Sequence, residues 1–291
     1  TKSVSTPSGA RKYNHYIAIL VFEDAEKAFI WDFFRRMIVP LESTIAKEQY
    51  YPVILPVSLH QDTTDILEKI VVAKVKALFS IDYANQKLFR KVEDQGIPVV
   101  VINNTSFQNQ FCTVCVDDFH GAYEGTRYLI TLGHTQIAYV EYYRPDMLTL
   151  LYDRFVGFKK ALDEENLSFP DDYRVTVELF DMDALQRGLQ KLFRKKPVPT
   201  ALFVHDDFLA ARIIIALQNM QLRVPEDVSL IAPGDTLDYS QPFIPQITTM
   251  RINNELMGKL AGEMMLERLK HQQDAIQVLK VNQQLVERGS C

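Results

Sequence analysis

Carboxylates, amides, imidazoles and aromatic rings recur just after the apolar runs of this sequence. They are Phe22 to Phe29, Asp82 and Tyr83, Asn103 and Asn104, Asp117 to His120, Glu141 onward, Phe180 and Asp181, His205 to Asp207, and Asp235. Groups of these types suit a ligand with many hydroxyls. Carboxylates accept hydroxyl protons, the guanidinium of Arg154 donates, and an aromatic such as Phe29 or Phe180 stacks on the apolar face of a sugar. Each candidate also has a purely structural reading. The pattern puts Arg154 at a helix start, where a cation opposes the macrodipole and needs a compensating partner, either a ligand or a salt bridge. Asp206 can cap the helix that follows it. Asp235 lies in a Pro/Gly-rich loop where Asp serves turns, and Phe29 and Trp31 can belong to the core face of the first helix.

Catalytic signatures find little support. The sequence has no G-x-S-x-G elbow, no G-x-x-x-x-G-K phosphate cradle, and reads VFEDAEKAF where a dinucleotide fold would place G-x-G-x-x-G. The six His are not spaced as a metal pair on one helix, and Cys112 and Cys115 form a C-x-x-C without the second pair of a zinc site. No metal and no cofactor is expected. Three Cys in a long chain give no disulfide framework, and a cytoplasmic location is the simplest expectation.

The elements that position these residues alternate. An apolar run at 17–21 is followed by Ile30, Phe33, Phe34, Met37, Ile38 and Leu41 at helical spacing. The spacing then predicts strands over 51–55, 77–81, 97–102 and 113–116, separated by helices over 64–75 and 86–94, with a further helix over 121–132. After Gly133 the rhythm restarts, with strands over 136–140, 174–179, 200–204 and 228–232 and helices over 154–165, 184–194 and 208–219. An extended piece at 246–250, a helix over 254–269 and a strand over 276–281 complete the chain. Continuous apolar runs are what parallel strands covered on both faces look like. The expected fold class is therefore α/β, two doubly wound parallel-sheet lobes with a hinged cleft between them. The expected division is a linker over 1–16, an N-terminal lobe of 17–133 plus 253–273, and a C-terminal lobe of 134–250 plus 276–291. In such folds ligands sit at the carboxyl ends of the strands, which is where the candidate residues fall.

Composition bounds the class. The chain has 291 residues, 47% hydrophobic and 24% charged, enough to bury a sizeable core. No run approaches the ~18 apolar residues of a membrane span. With 32 Lys and Arg against 37 Asp and Glu, the net charge of -5 makes the chain by itself a poor partner for nucleic acid.

Five stretches carry a family likeness. Leu222-Arg223-Val224-Pro225-Glu226-Asp227-Val228-Ser229-Leu230, then Ile244-Pro245-Gln246-Ile247-Thr248-Thr249-Met250, then Leu285-Val286-Glu287-Arg288-Gly289-Ser290 resemble the effector-binding domain of LacI/GalR-type bacterial transcription regulators. Leu132-Gly133-His134-Thr135-Gln136-Ile137-Ala138 and Arg154-Phe155-Val156-Gly157-Phe158 support the match, which spans about residues 17–291. The resemblance implies a periplasmic-binding-protein-like fold, a small effector, usually a sugar or its derivative and sometimes a purine, and a homodimer whose DNA affinity responds to that effector. It also implies that Arg154 and Asp235 bind the effector, with His205, His120 and the aromatics Phe29 and Phe180 as further contacts. The sequence departs from the family pattern at Ala232-Pro233-Gly234-Asp235, at Gln221 and at Val21-Phe22-Glu23-Asp24. Any DNA-binding module would lie upstream of Thr1, of the LacI type or of the winged-helix GntR type, and operator DNA would be bound through it.

The leading expectation is thus the effector-sensing domain of a sugar-responsive regulator. Two others share its fold class: a periplasmic sugar-binding protein of a transporter, and a sugar hydrolase using acid and base groups such as Asp206 and Asp235.

Overall fold

The computed structural model describes residues 15–22, 30–58, 61–142, 148–178, 180–271 and 275–291. Phe29 and most of the 1–16 linker lie outside them. In chain order the elements are β1 (Tyr16–Phe22), α1 (Ile30–Ala46), β2 (Tyr51–Val57), α2 (Thr63–Val72), β3 (Ala77–Ile81), α3 (Gln86–Glu93), β4 (Val99–Ile102) and β5 (Cys112–Val116). There follow α4 (Asp118–Thr131), β6 (Ile137–Tyr142), α5 (Leu148–Glu164), β7 (Arg174–Val177), α6 (Met182–Phe193), β8 (Ala201–Val204) and α7 (Asp207–Asn219). The chain ends with β9 (Ser229–Gly234), β10 (Thr248–Arg251), α8 (Asn254–His271), β11 (Val278–Val281) and β12 (Gln284–Val286).

The apolar runs become central strands because helices cover both their faces. Every residue of β3, β4, β5, β6, β8 and β9 is buried, including Cys112 and Cys115 within β5. Two six-stranded sheets result, ordered β11-β5-β4-β3-β1-β2 and β12-β10-β9-β8-β6-β7. All pairings are parallel except that of β12 with β10. Apolar clusters pack on both faces of each sheet, such as that of Ile19, Phe79 and Met257 against that of Leu20, Leu78 and Phe89 in the first.

The polar residue after a strand often serves the next helix. Asn85, Asp117, Asp181 and Asp206 each accept a hydrogen bond from a backbone N–H in the first turn of α3, α4, α6 and α7, at 3.0, 3.1, 2.8 and 2.7 Å. Such a cap contributes about 1 kcal/mol.

The lobe boundaries differ from the sequence expectation. Helix α4, assigned to the first lobe by a boundary at 133, packs on α5 and on β8, β9 and β10 of the second sheet, so the first crossing lies at 117. Strand β11, assigned to the second lobe, pairs with β5 of the first, and only the residues from β12 onward return to the second. The reason is directional. Strand β11 runs toward the hinge, the chain crosses within two residues, and a strand starting at the hinge must run antiparallel to neighbours that end there. The three crossings therefore fall at 117, 252–253 and 282–283.

Each lobe also contains a helix pair in close approach. A Cβ on Gly258 of α8 would lie 2.0 Å from the carbonyl oxygen of Met37 in α1, and one on Gly157 of α5 would lie 2.1 Å from that of Phe119 in α4. Only glycine permits these contacts. No helix among the described residues is long and apolar enough to cross a membrane.

Candidate functional site: the interlobe cleft

All three crossings leave from the carboxyl end of a strand (β5, β10 and β11), so the carboxyl ends of the two sheets face each other across the hinge. Three strand ends there turn through left-handed backbone without glycine: Asp82, Asn103 and Asp235, with φ of 60°, 59° and 70°. Asp and Asn tolerate that region best, because their short side chains bond locally.

In the first lobe the resulting cluster is amide and carboxylate. Asn103 Nδ2 donates to Asp82 Oδ1 at 2.7 Å and Asn104 Nδ2 donates to the Asp82 carbonyl at 3.0 Å, with all three residues buried. In the second lobe it is a guanidinium. Arg154 is 5% exposed; its Nε donates to Asp118 Oδ1 at 2.7 Å and its Nη1 to the carbonyl oxygen of His205 at 2.6 Å. Burial acts to lower the Arg154 pKa, but Asp118 outweighs it and holds the cation. Burial likewise drives the Asp118 carboxyl up, and Arg154 opposes that. The fork thus has two fixed bonds, and the described contacts leave Nη2 uncommitted. The compensating partner expected for Arg154 is Asp118. Its helix, α5, begins at Leu148, so Arg154 stands beyond the first turn and not at the N-terminus.

His205 is 5% exposed at the end of β8, its ring edge-to-face with Tyr142 at 4.6 Å. Tyr142 donates in turn to Asp206 Oδ2 at 2.7 Å, so Asp206 is both a cap and a clasp between β6 and α7. Arg154, His205 and the Tyr142–Asp206 pair therefore meet at one end of the second sheet.

Asp235 stands at the same end but is occupied. Arg251, at the end of β10, and Arg288, just after β12, both bond its carboxylate, and Thr249 Oγ1 donates to it at 3.0 Å. Burial acts to raise its pKa, but these bonds outweigh burial and leave it below the ordinary carboxyl range. Asp235 ties the loop after β9 to the two strands that flank the later crossings. Arg288 also lies 3.9 Å from the centre of the Tyr239 ring.

Two expected contacts stand apart from this group. His120 lies on the exposed side of α4, stacked on Tyr123 and 4.0 Å from Glu124, while Asp118 on the same helix turns inward to Arg154. Phe180 is 44% exposed and 6.0 Å from the guanidinium of Arg212 on α7, on the face of the second sheet opposite α5. Phe29, outside the described residues, has no observed place.

Asp118 and Asp207 fall among the polar groups that follow strands, and the sequence pattern assigns neither a site role. Asp207 is fully buried and accepts from Thr236 N and Oγ1, both at 2.6 Å, and from Leu237 N and Tyr239 Oη, both at 3.1 Å. A Cβ at Gly234 would lie 2.5 Å from its Oδ1, so glycine there makes room for the carboxylate that holds the 236–239 loop. The signal for both was an Asp just behind a capping Asp, in Asp117-Asp118 and Asp206-Asp207. One caps and the other turns inward. Glu141, like Asp82, Asp118 and Asp207, is a buried carboxylate: Oε1 accepts from Arg174 at 2.7 Å, and Oε2 has no partner among the described residues.

Two lobes with buried polar groups at facing strand ends, joined by three short crossings, have the architecture of a hinged domain with a cleft between its halves. Residues 126–291 match the periplasmic binding protein-like domain. Among curated proteins, the chain is 30% identical over 210 residues to the HTH-type transcriptional repressor PurR of Photorhabdus laumondii, and 31% identical over 210 residues to PurR of Klebsiella pneumoniae. Each alignment covers 72% of this chain and 60% of the relative, so the chain spans 60% of the length of these repressors. The chain belongs to the periplasmic binding protein-like domain family. Solved structures confirm the fold. A complex of the transcriptional regulator CelR with cellobiose superposes with a TM-score of 0.81 at 19% identity, covering 95% of this chain and 84% of that one. A LacI regulator from Bacillus cereus subsp. cytotoxis gives 0.80 at 23% identity, covering 95% and 98%. A LacI-family regulator from Enterococcus faecium with bound ribose gives 0.77 at 21%, covering 94% and 98%.

Proposed function

We propose that this chain is the sensing part of a cytoplasmic, homodimeric transcription regulator, that it binds a sugar or sugar derivative between its lobes, and that it catalyses no reaction. In this reading a DNA-binding module elsewhere in the full protein contacts operator DNA; the chain spans 60% of the length of an HTH-type repressor to which it is 30% identical. The observation that carries the reading is Arg154, buried at the hinge end of the second sheet, held by Asp118 and the His205 carbonyl with one guanidinium nitrogen uncommitted among the described residues. That nitrogen donates to a ligand hydroxyl or ring oxygen, and His205, Asp82 and Asn103 supply further polar contacts. Cellobiose and ribose in two structures of the same fold support a hydroxyl-rich ligand.

Enclosure is the signal. A ligand that bonds both lobes favours the lobe orientation in which it is bound, and only that difference in affinity can alter a module attached elsewhere.

The test is a melting panel of sugars, sugar phosphates and nucleobases. A binding compound at ~100 times its Kd stabilises the fold by about 2.7 kcal/mol, a readily measured rise in melting temperature. The rise is expected to vanish in Arg154→Lys, which keeps the charge but not the fork. No rise with any compound, or an equal rise in the variant, contradicts the proposal.

A further inference from the structure

The first lobe carries a second cavity, of about 730 Å³, at the end of the molecule opposite the cleft. Its walls are residues that precede strands, Lys76 before β3, Ile97 and Pro98 before β4, Gln110 before β5, and Ala275 and Ile276 before β11. The last turns of α3 and α8 contribute Arg90, Glu93, Arg268 and Leu269. None of these residues belongs to the cleft.

The lining divides into a charged side and an apolar side. Its charged lining is three cations, Lys76, Arg90 and Arg268, and one carboxylate, Glu93. Arg268 reaches Glu93 at 3.4 Å and the Val99 carbonyl at 3.1 Å, while Arg90 lies 3.6 Å from Glu93 and 4.8 Å from the centre of the Phe111 ring. Burial pushes the Glu93 carboxyl up, and neither arginine fully offsets it. Lys76 is exposed and forms no ion pair among the described residues. Gln110 Oε1 accepts from both Gln86 and Arg90, which turns its amide nitrogen away from them. Ile97, Pro98, Leu269 and Ile276 supply the apolar surface. Its volume falls within the ~300–1,000 Å³ of small-molecule sites, and its lining is more polar than apolar, which suits a ligand with a charged group.

We propose that this cavity binds a small amphipathic anion, a carboxylate or phosphate on an apolar body, as a second ligand independent of the cleft. The anionic group meets Lys76 and the outer edge of Arg90, and the apolar body lies against Ile97, Pro98 and Ile276. Lys76 donates its backbone N–H to the Tyr16 carbonyl at 2.7 Å, so the site adjoins the strand by which the preceding residues join the lobe. An effect of this ligand on DNA binding would rest on the function proposed above; the binding itself does not.

The experiment titrates the 291-residue protein with 8-anilinonaphthalene-1-sulfonate, an amphipathic anion whose fluorescence rises on binding. Saturable binding is expected. It weakens at least tenfold in Lys76→Glu, which reverses the exposed charge, and in Ala275→Trp, which fills the mouth; it changes less than twofold in Arg154→Lys. Both cavity substitutions are at exposed residues, and unchanged melting temperatures verify the fold. Undiminished binding in both cavity variants, or loss in Arg154→Lys alone, overturns the proposal, the latter by placing the anion in the cleft. A failed melting panel alongside the expected titration would remove the cleft ligand and leave this site standing.

Discussion

The two lobes follow one plan and furnish it differently. With β1, β2, β3, β4 and β5 matched to β6, β7, β8, β9 and β10, the sheet orders coincide, and both add a last strand from the C-terminal segment at the same edge. In the first lobe the cleft end holds a cluster in which Asn103 and Asn104 hydrogen-bond to Asp82. In the second it holds guanidinium–carboxylate bonds, Arg154 with Asp118 and Asp235 with Arg251 and Arg288. On the proposed function, the shared topology sets where a ligand would sit, and the unshared charges would make the second lobe the one that orients it. Burial of those charges leaves the second lobe more vulnerable to loss of a single partner.

The largest expected effect follows from that vulnerability. Arg154→Met strands Asp118 in a buried site and should cost about 3–5 kcal/mol by urea unfolding. The double variant Arg154→Met/Asp118→Leu should recover much of the loss, since removing both charges removes the unpaired one. A loss under 1 kcal/mol would show that the pair is solvated.

Common architecture predicts common sensitivity. Gly157→Ala and Gly258→Ala each push a Cβ into a backbone carbonyl of the neighbouring helix, so both should destabilise by about 2–3 kcal/mol, and to a similar degree. A tolerant lobe would break the symmetry between the two helix pairs.

Asp235→Asn sharpens the electrostatic difference. The wild-type carboxyl is held below its unfolded value, so its contribution to stability is complete above that value and disappears as pH falls through the folded one. The variant should lose about 2 kcal/mol at pH 7, and the gap to wild type should begin to narrow near pH 4 and close only below the lowered folded value. A gap constant with pH would remove the ionic bonds from the account. The smallest effect is expected for Asp181→Ala, about 1 kcal/mol from the lost cap of α6, followed by thermal melting.

Much of this arrangement was legible before the structure. Continuous runs such as Ala77–Ile81 and Val99–Ile102 announced buried parallel strands, and the polar residues after them lie where the cleft is. The lobe boundary was not legible, because α4 follows β5 by a single residue and nothing local shows that it packs on the other lobe. Strand β12 is three residues long and escaped for the same reason, since its pairing with β10 is non-local. The site was half readable. Arg154 and His205 do meet, but adjacent Asp residues such as Asp206 and Asp207 have one side-chain type and opposite fates, one at the helix cap and one buried in the loop's hydrogen bonds. Local sequence cannot distinguish inward from outward. His120 and Phe180 show the same limit: both follow strands, and both lie on faces away from Arg154.

On the proposed function, one small ligand engages the strand ends of both lobes at once. Hydrogen exchange by mass spectrometry tests it directly, comparing the protein with and without the compound that raises its melting temperature. Slowed exchange is predicted at 82–85 and 103–106 in the first lobe together with 205–207 and 235–239 in the second. Protection confined to one lobe, or found at the opposite ends of the strands, would contradict it.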